Sequence, residues 1–144
     1  MARKVFFSFH YDRDSWRVGQ VRNCNVVNGY GKNLFLDRAK WEAVKRSGDA
    51  AIRRWIDEQF KGTSVTVVLI GRETASRRWV KYEIAKSIEL RKGLLGIDIS
   101  KIRNQAGETD ETGTNPLPRG YAYYRWNKDD GRSNLAEWIE AAVP

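Results

Sequence analysis

Short, uniformly apolar runs alternate along this chain with longer stretches in which apolar side chains return every third or fourth position. Lys4–Phe9 (KVFFSF) opens the series, and such a run suits a strand covered on both faces. The polar stretch His10-Tyr11-Asp12-Arg13-Asp14-Ser15 follows, so Asp12 or Asp14 is expected to cap a short helix over Ser15–Asn23. Asn28-Gly29-Tyr30-Gly31 is turn chemistry, and Leu34–Leu36 reads as a brief edge strand. Asp37–Gly48 reads as a polar loop with some helical character, anchored by Trp41.

Asp49–Phe60 is predicted as a helix because Ile52, Trp55, Ile56 and Phe60 form one apolar stripe, with Gly62 where a C-terminal cap belongs. Ser64–Ile70 (SVTVVLI) is the strongest strand signal, β-branched and uncharged, with Gly71 as its stop, and is expected to be central. Ser76 is the expected N-cap of a helix over Arg77–Arg91 with a buried stripe of Val80, Ile84 and Ile88, ended by Gly93. Leu94–Ile99 and Tyr121–Trp126 are expected strands. Ser133 is expected to cap a final helix with Leu135, Trp138, Ile139 and Ala142 on one side. Lys101–Arg119, with Pro116 and Pro118, reads as a long surface loop, and loops of that length often serve function.

Strands alternating with helices imply right-handed crossovers and a parallel sheet. The expected fold is α/β: a flavodoxin-like, three-layer arrangement around a central, mostly parallel five-stranded sheet in the order 2-1-3-4-5. Residues 1–144 are read as a single domain. Ligands of such sheets sit beyond the carboxyl ends of the strands at the switch point. That brings together Ser8–Asp14, Gly71–Ser76 and the loop after Leu36.

Composition refines this picture. Apolar residues make up 41% and aromatics 12%, which excludes a disordered chain. The net charge of +8 favours anionic partners, but the Lys and Arg residues are scattered as solvated faces would have them, so nucleic acid is not expected. With only Cys24 and His10 available, no internal disulfide and no zinc site are expected; Cys24 reads as a structural thiol. No apolar run approaches the roughly 20 residues a bilayer span needs, and the opening residues lack a signal-peptide core. A cytoplasmic protein without membrane contact is expected.

The helix after the central strand carries the best candidate chemistry. Trp79 and Glu83 are four apart and share a face, at the edge of the Ile84 stripe, where a carboxylate can point into the cleft. Read alone, Glu83 is equally an ordinary surface carboxylate pairing with Lys81, Lys86 or Arg78. Asp12 is equally a cap, and Arg77 a solvated cation. A receiver domain would need an aspartate ending the third strand, where Ile70-Gly71 stands.

An opening strand ending Phe-Phe-Ser-Phe-His-Tyr, a central strand ending Val-Val-Leu-Ile-Gly, and then Thr74-x-Ser76-x-x-Trp79-x-x-x-Glu83 resemble a TIR domain. The opening is most similar to the bacterial TIR-like group that includes the TIR subunit of the Thoeris antiphage system. The resemblance runs from Lys4 to about Ile99 and weakens in the Lys101–Arg119 loop.

The resemblance implies cleavage of the nicotinamide–ribose bond of NAD and formation of a cyclic ADP-ribose isomer as a signal. NAD is then the substrate, with no cofactor besides. It assigns the catalytic role to Glu83. It places Phe9, His10 and Tyr11 on the nicotinamide side, with Ser8, Asp12, Trp79 and Arg77 completing the candidate binding set. A separate effector would receive the product, and a partner, a phage component or self-association would supply the trigger. The alternative is a non-catalytic TIR-like interaction or assembly module.

One carboxylate suffices for that chemistry. Nicotinamide leaves as a neutral group, and the carboxylate stabilises the oxocarbenium character at the ribose carbon. The start of the Ser15 helix, Arg13, Arg77 and Arg78 are candidates for the pyrophosphate, and cyclisation requires water to be excluded.

Overall fold

A computed structural model describes residues 4–22 and 38–144. In chain order the elements are β1 (Val5–Ser8), α1 (Tyr11–Arg22), α2 (Arg38–Arg46), α3 (Asp49–Phe60), β2 (Val65–Ile70), α4 (Arg78–Glu89), β3 (Gly93–Asp98), β4 (Ala122–Arg125) and α5 (Gly131–Ala142). All strand pairs are parallel, in the order β1-β2-β3-β4. These are the first, third, fourth and fifth strands of the expected flavodoxin-like order. The expected strand at Leu34–Leu36 lies outside the described residues, as do Cys24, the Asn28–Gly31 turn and the Trp41 side chain.

Register decides which side chains meet. Phe6 lies beside Thr66, Ser8 beside Val68, and Ile70 beside Asp98. Successive strand residues point to opposite faces. Val5, Phe7, Val65, Val67, Leu69, Leu95 and Ile97 therefore share one face, where they form the main core with Val18 and Val21 of α1 and Leu135, Trp138 and Ile139 of α5.

The opposite face holds two smaller apolar clusters. Phe6 packs with Ile52, Ile56 and Phe60 of α3, its ring stacked on Phe60 at 4.4 Å. Val68, Ile70 and Leu94 pack with Val80 and Ile84 of α4. A row of buried polar residues, Ser8, Thr66, Glu83 and Ser87, occupies the same face.

Several boundaries differ from expectation for local reasons. α1 begins at Tyr11 rather than Ser15, because His10 Nδ1 accepts the Arg13 N–H at 3.3 Å and caps the first turn. Asp12 and Asp14 lie inside that turn, where the positive end of the helix favours carboxylates. A regular helix, α2, forms where a loop with some helical character was expected. Ser76 does not cap α4: its hydroxyl donates to the Glu73 carbonyl at 2.8 Å, and Arg77 takes the cap position. Ile88 is 40% exposed, and Glu83 and Ser87 stand in the buried stripe instead. Gly93 opens β3 rather than ending α4, and Ser133 lies within the first turn of α5, whose cap position is Asp130.

The Lys101–Arg119 segment carries no helix or strand but is held down. Arg17 donates to the carbonyls of Ile102 at 2.7 Å and Glu108 at 3.1 Å, and Leu117 is buried against the α4 cluster. Gly113 lies so close to the end of β2 that an added Cβ would sit 2.0 Å from the Gly71 carbonyl oxygen. That neighbour is backbone and cannot swing away. Gly113→Ala is therefore expected to destabilise the fold by at least about 2 kcal/mol, read as a lower midpoint in urea unfolding.

Candidate active site

The carboxyl ends of β1 and β2 bring Ser8–Asp14 and Gly71–Ser76 together; the stretch expected as a loop after Leu36 is described from residue 38, mostly as α2, whose Lys45 reaches Asp12. Gly71 N–H donates to Thr74 Oγ1 at 2.7 Å, and that hydroxyl reaches the buried Asp14 carboxylate at 3.4 Å. Arg13 joins three segments around it, with Asp14 at 3.1 Å, Glu73 at 2.8 Å and Asp110 at 2.6 Å. Burial raises the Asp14 carboxyl above its ordinary range, opposed chiefly by Arg13. Arg13 is thus committed to holding the frame rather than free for a pyrophosphate. Gly71 is required here, since a Cβ would meet Asp14 Oδ2 at 2.2 Å.

Glu83 lies on the α4 side of this frame. It is 1% exposed, not at the solvent boundary expected from the Ile84 stripe. Its Oε1 accepts the Ser8 hydroxyl at 2.6 Å, while Oε2 is buried without a partner among the described residues. Burial pushes the carboxyl up to about 8, and the Ser8 hydroxyl works against that rise by favouring the charged form. Ser87 Oγ stands 2.7 Å from both Thr66 Oγ1 and the Glu83 carbonyl oxygen, fixing the turn of α4 that presents the carboxylate.

The Tyr11 phenol feels the charge of this carboxylate. It is raised well above its ordinary value, first by burial and then by the charge of Glu83. Phe9 packs in the main core on the other face and touches the site through Tyr11, ring centroids 4.2 Å apart. His10 is buried; its pKa is lowered by burial and then by Arg77, so with Nδ1 accepting it stays neutral. Trp79 packs edge-on against Tyr82 at 5.7 Å, with the Arg78 guanidinium 4.6 Å from its ring centre.

Two anticipated residues stand apart. Asp12 is exposed and pairs with Lys45 of α2 at 3.2 Å. Arg78 pairs with Asp49 at 2.7 Å, which leaves Arg77, exposed and without an ion pair among the described residues, as the cation near His10. Asp14, Thr74, Thr66 and Ser87 were not singled out as site residues in the sequence. For Thr66 and Ser87 the signal was present as polar residues at positions that strand or helix periodicity turns inward.

The model for the TIR-like domain of the Thoeris protein ThsB matches residues 6–104. The chain belongs to this family. A Bacillus cereus (strain MSX-D12) protein named as a candidate cyclic ADP-D-ribose synthase, ThsB1, is 42% identical over 141 residues, covering 96% of this chain and 72% of its own length. The ThsB TIR-like match takes in β1, the Asp14–Thr74 frame, Glu83 and β3, and stops within the Lys101–Arg119 segment. No helix among the described residues of this ThsB domain is long and apolar enough to cross a membrane.

Proposed function

We propose that this ThsB TIR-like domain cleaves the nicotinamide–ribose bond of NAD and closes the product into a cyclic ADP-ribose-type signal, with Glu83 as the catalytic residue. The buried carboxylate carries this reading: one oxygen is held by Ser8 and the other has no partner among the described residues. A lone acceptor in a water-poor site is costly for stability alone and suited to a developing cation. The name of the Bacillus cereus relative supports the same chemistry.

As the C–N bond breaks, its electron pair passes to the nicotinamide nitrogen and neutralises the pyridinium. Positive charge moves to the ribose C1–O4 unit, where the Glu83 carboxylate stabilises it. The cationic ring of NAD also favours ionisation of Glu83 in the complex. Tyr11, backed by Phe9, and Trp79 supply aromatic walls, neutral His10 adds a polar edge, and Arg77 is the cation for the pyrophosphate. The product then acts on a separate effector, with a phage-derived trigger or self-association switching the enzyme on.

Incubating the protein with NAD and following the small molecules by mass spectrometry tests the reading. Free nicotinamide and a product one water lighter than ADP-ribose are expected. No turnover under any trigger, with Glu83 intact, would leave the assembly module as the better account.

Ser8 has its own signature. Ser8→Ala removes the hydroxyl that favours ionised Glu83, so the inflection of kcat/KM against pH is expected to rise from about 8 by roughly one unit. Activity at pH 7 then falls about tenfold and recovers above pH 9.5. An unchanged inflection would remove Ser8 from the mechanism.

A further inference from the structure

A cavity of about 350 Å³ opens where β3 and β4 end, and Asp98, Lys101, Arg125, Trp126, Asn127 and Lys128 line it. Glu83 is held at β1, two strands away from β3, or roughly 10 Å at ordinary strand spacing. The cavity shares no lining residue with the Glu83 site.

Its floor is acidic and incompletely satisfied. Asp98, the last residue of β3, is 3% exposed; its Oδ1 accepts the Ser100 N–H at 2.9 Å, and no hydrogen bond among the described residues engages Oδ2. The neighbouring Ser100 hydroxyl is also buried without a partner. The rim is cationic. Lys101 donates to the Asp110 carbonyl, which leaves its charge uncompensated, and neither Arg125 nor Lys128 forms an ion pair among the described residues. Trp126, largely buried, forms an apolar wall.

Three cations converging on one cleft call for an anion. The carboxylate below them repels a bare anion and calls for hydrogen-bond donors. A phosphate joined to vicinal hydroxyls satisfies both demands, and the cavity lies at the small end of ligand sites, which run from about 300 to 1,000 Å³.

We propose that the β3–β4 cavity binds a phosphorylated ribose, with its hydroxyls donating to Asp98 and its phosphate among Lys101, Arg125 and Lys128. The site stands on these contacts whether or not Glu83 turns over NAD.

Calorimetric titration of the full chain carrying Glu83→Gln tests this without substrate turnover, with ribose 5-phosphate, inorganic phosphate and adenosine as probes. Ribose 5-phosphate is expected to bind at least about tenfold more tightly than phosphate or adenosine, because only it meets both floor and rim. Lys128→Glu, at an exposed position, is expected to weaken it at least about tenfold while leaving the thermal melt in place. Asp98→Asn, which keeps an acceptor for the Ser100 N–H, is expected to erode the preference over phosphate. Equal binding of ribose 5-phosphate and phosphate would reduce the site to a plain anion patch and overturn the proposal. So would absence of binding, or binding that neither variant alters. Failure of NAD turnover in the parent protein bears on Glu83 alone and leaves this outcome unaffected.

Discussion

Glu83→Gln is expected to lower nicotinamide release from NAD by at least about 100-fold and, in the same protein, to flatten the pH dependence of stability between pH 5 and pH 9. The first effect follows from removing the carboxylate proposed to stabilise the developing cation. The second follows from burial. The carboxyl ordinarily titrates near 4.5 and is pushed up to about 8 here. Below pH 4.5 both folded and unfolded chains hold the proton, and Glu83 carries no charge penalty. Between 4.5 and 8 the unfolded chain releases it while the folded chain keeps it, so stability falls as pH rises. Above 8 the full penalty is present.

The full difference amounts to about 5 kcal/mol at about 1.36 kcal/mol per pH unit. In a chain of this size that is on the order of 10 °C in Tm. Glutamine cannot ionise, so the variant lacks this slope while sharing every other titration with the parent. Thermal melts of both proteins at pH 5, 7 and 9, beside NAD turnover, check the two halves together. Parallel Tm profiles would mean that Glu83 is solvated in the folded protein, and undiminished turnover would remove it as the catalytic group.

Arg13→Ala is expected to cost about 3 kcal/mol and to release the Lys101–Arg119 segment. Arg13 answers three carboxylates at once, and one of them, Asp14, is 1% exposed. Breaking a buried pair typically costs about 3–5 kcal/mol, and the lower end applies because a quarter of the Arg13 side chain is exposed. Without the guanidinium, the Asp14 carboxyl rises further above its ordinary range, since burial is already its largest influence.

Urea unfolding reads the stability, and limited proteolysis within Lys101–Arg119 reads the release. Arg13→Lys is expected to rescue little, because one ammonium cannot replace a fork that spans three partners. Asp14→Asn in the Arg13→Ala background is expected to recover part of the loss. A parent-like urea midpoint and cleavage rate in Arg13→Ala would show that the cluster is only surface decoration.

The strands were legible because a fully buried parallel strand leaves an uninterrupted apolar run. Lys4–Phe9 and Ser64–Ile70 contain β1 and β2 within a residue or two. The helix α3 was legible from Ile52, Ile56 and Phe60 alone. What failed was the treatment of polar residues. The stripe on α4 was extended from Ile84 to Ile88, an apolar residue that faces solvent. The true stripe is Val80, Glu83, Ile84 and Ser87, with the i, i+3, i+4, i+7 spacing of a buried face.

Glu83 was therefore placed in the wrong environment, since it stands in the buried face of α4 and not at its edge with solvent. Ser8 and Thr66 carry the same signal, as the polar interruptions of β1 and β2 on the side that meets α4. Periodicity reports where a side chain points, and a polar residue at an inward position marks a site. The His10 cap and the Arg13 cluster were not legible, because each depends on partners brought close by the fold.

The row of Ser8, Thr66, Glu83 and Ser87 also bears on how a dinucleotide gains entry. It separates the Phe6 cluster under α3 from the Val68 cluster under α4 on one face of the sheet, while Trp79 and Tyr82 of α4 still pack against the former. Parting the layers there wets hydroxyls and a carboxylate, which water welcomes, at a fraction of the roughly 25 cal/mol per Å² charged for apolar surface. Solvating Glu83 also returns the free energy its burial withholds. On the proposed catalytic role of Glu83, the fault line and the reactive group are one feature: its ionisation is expected to favour a sub-global opening at this row, and alkaline conditions to shift the protein toward that breathing motion.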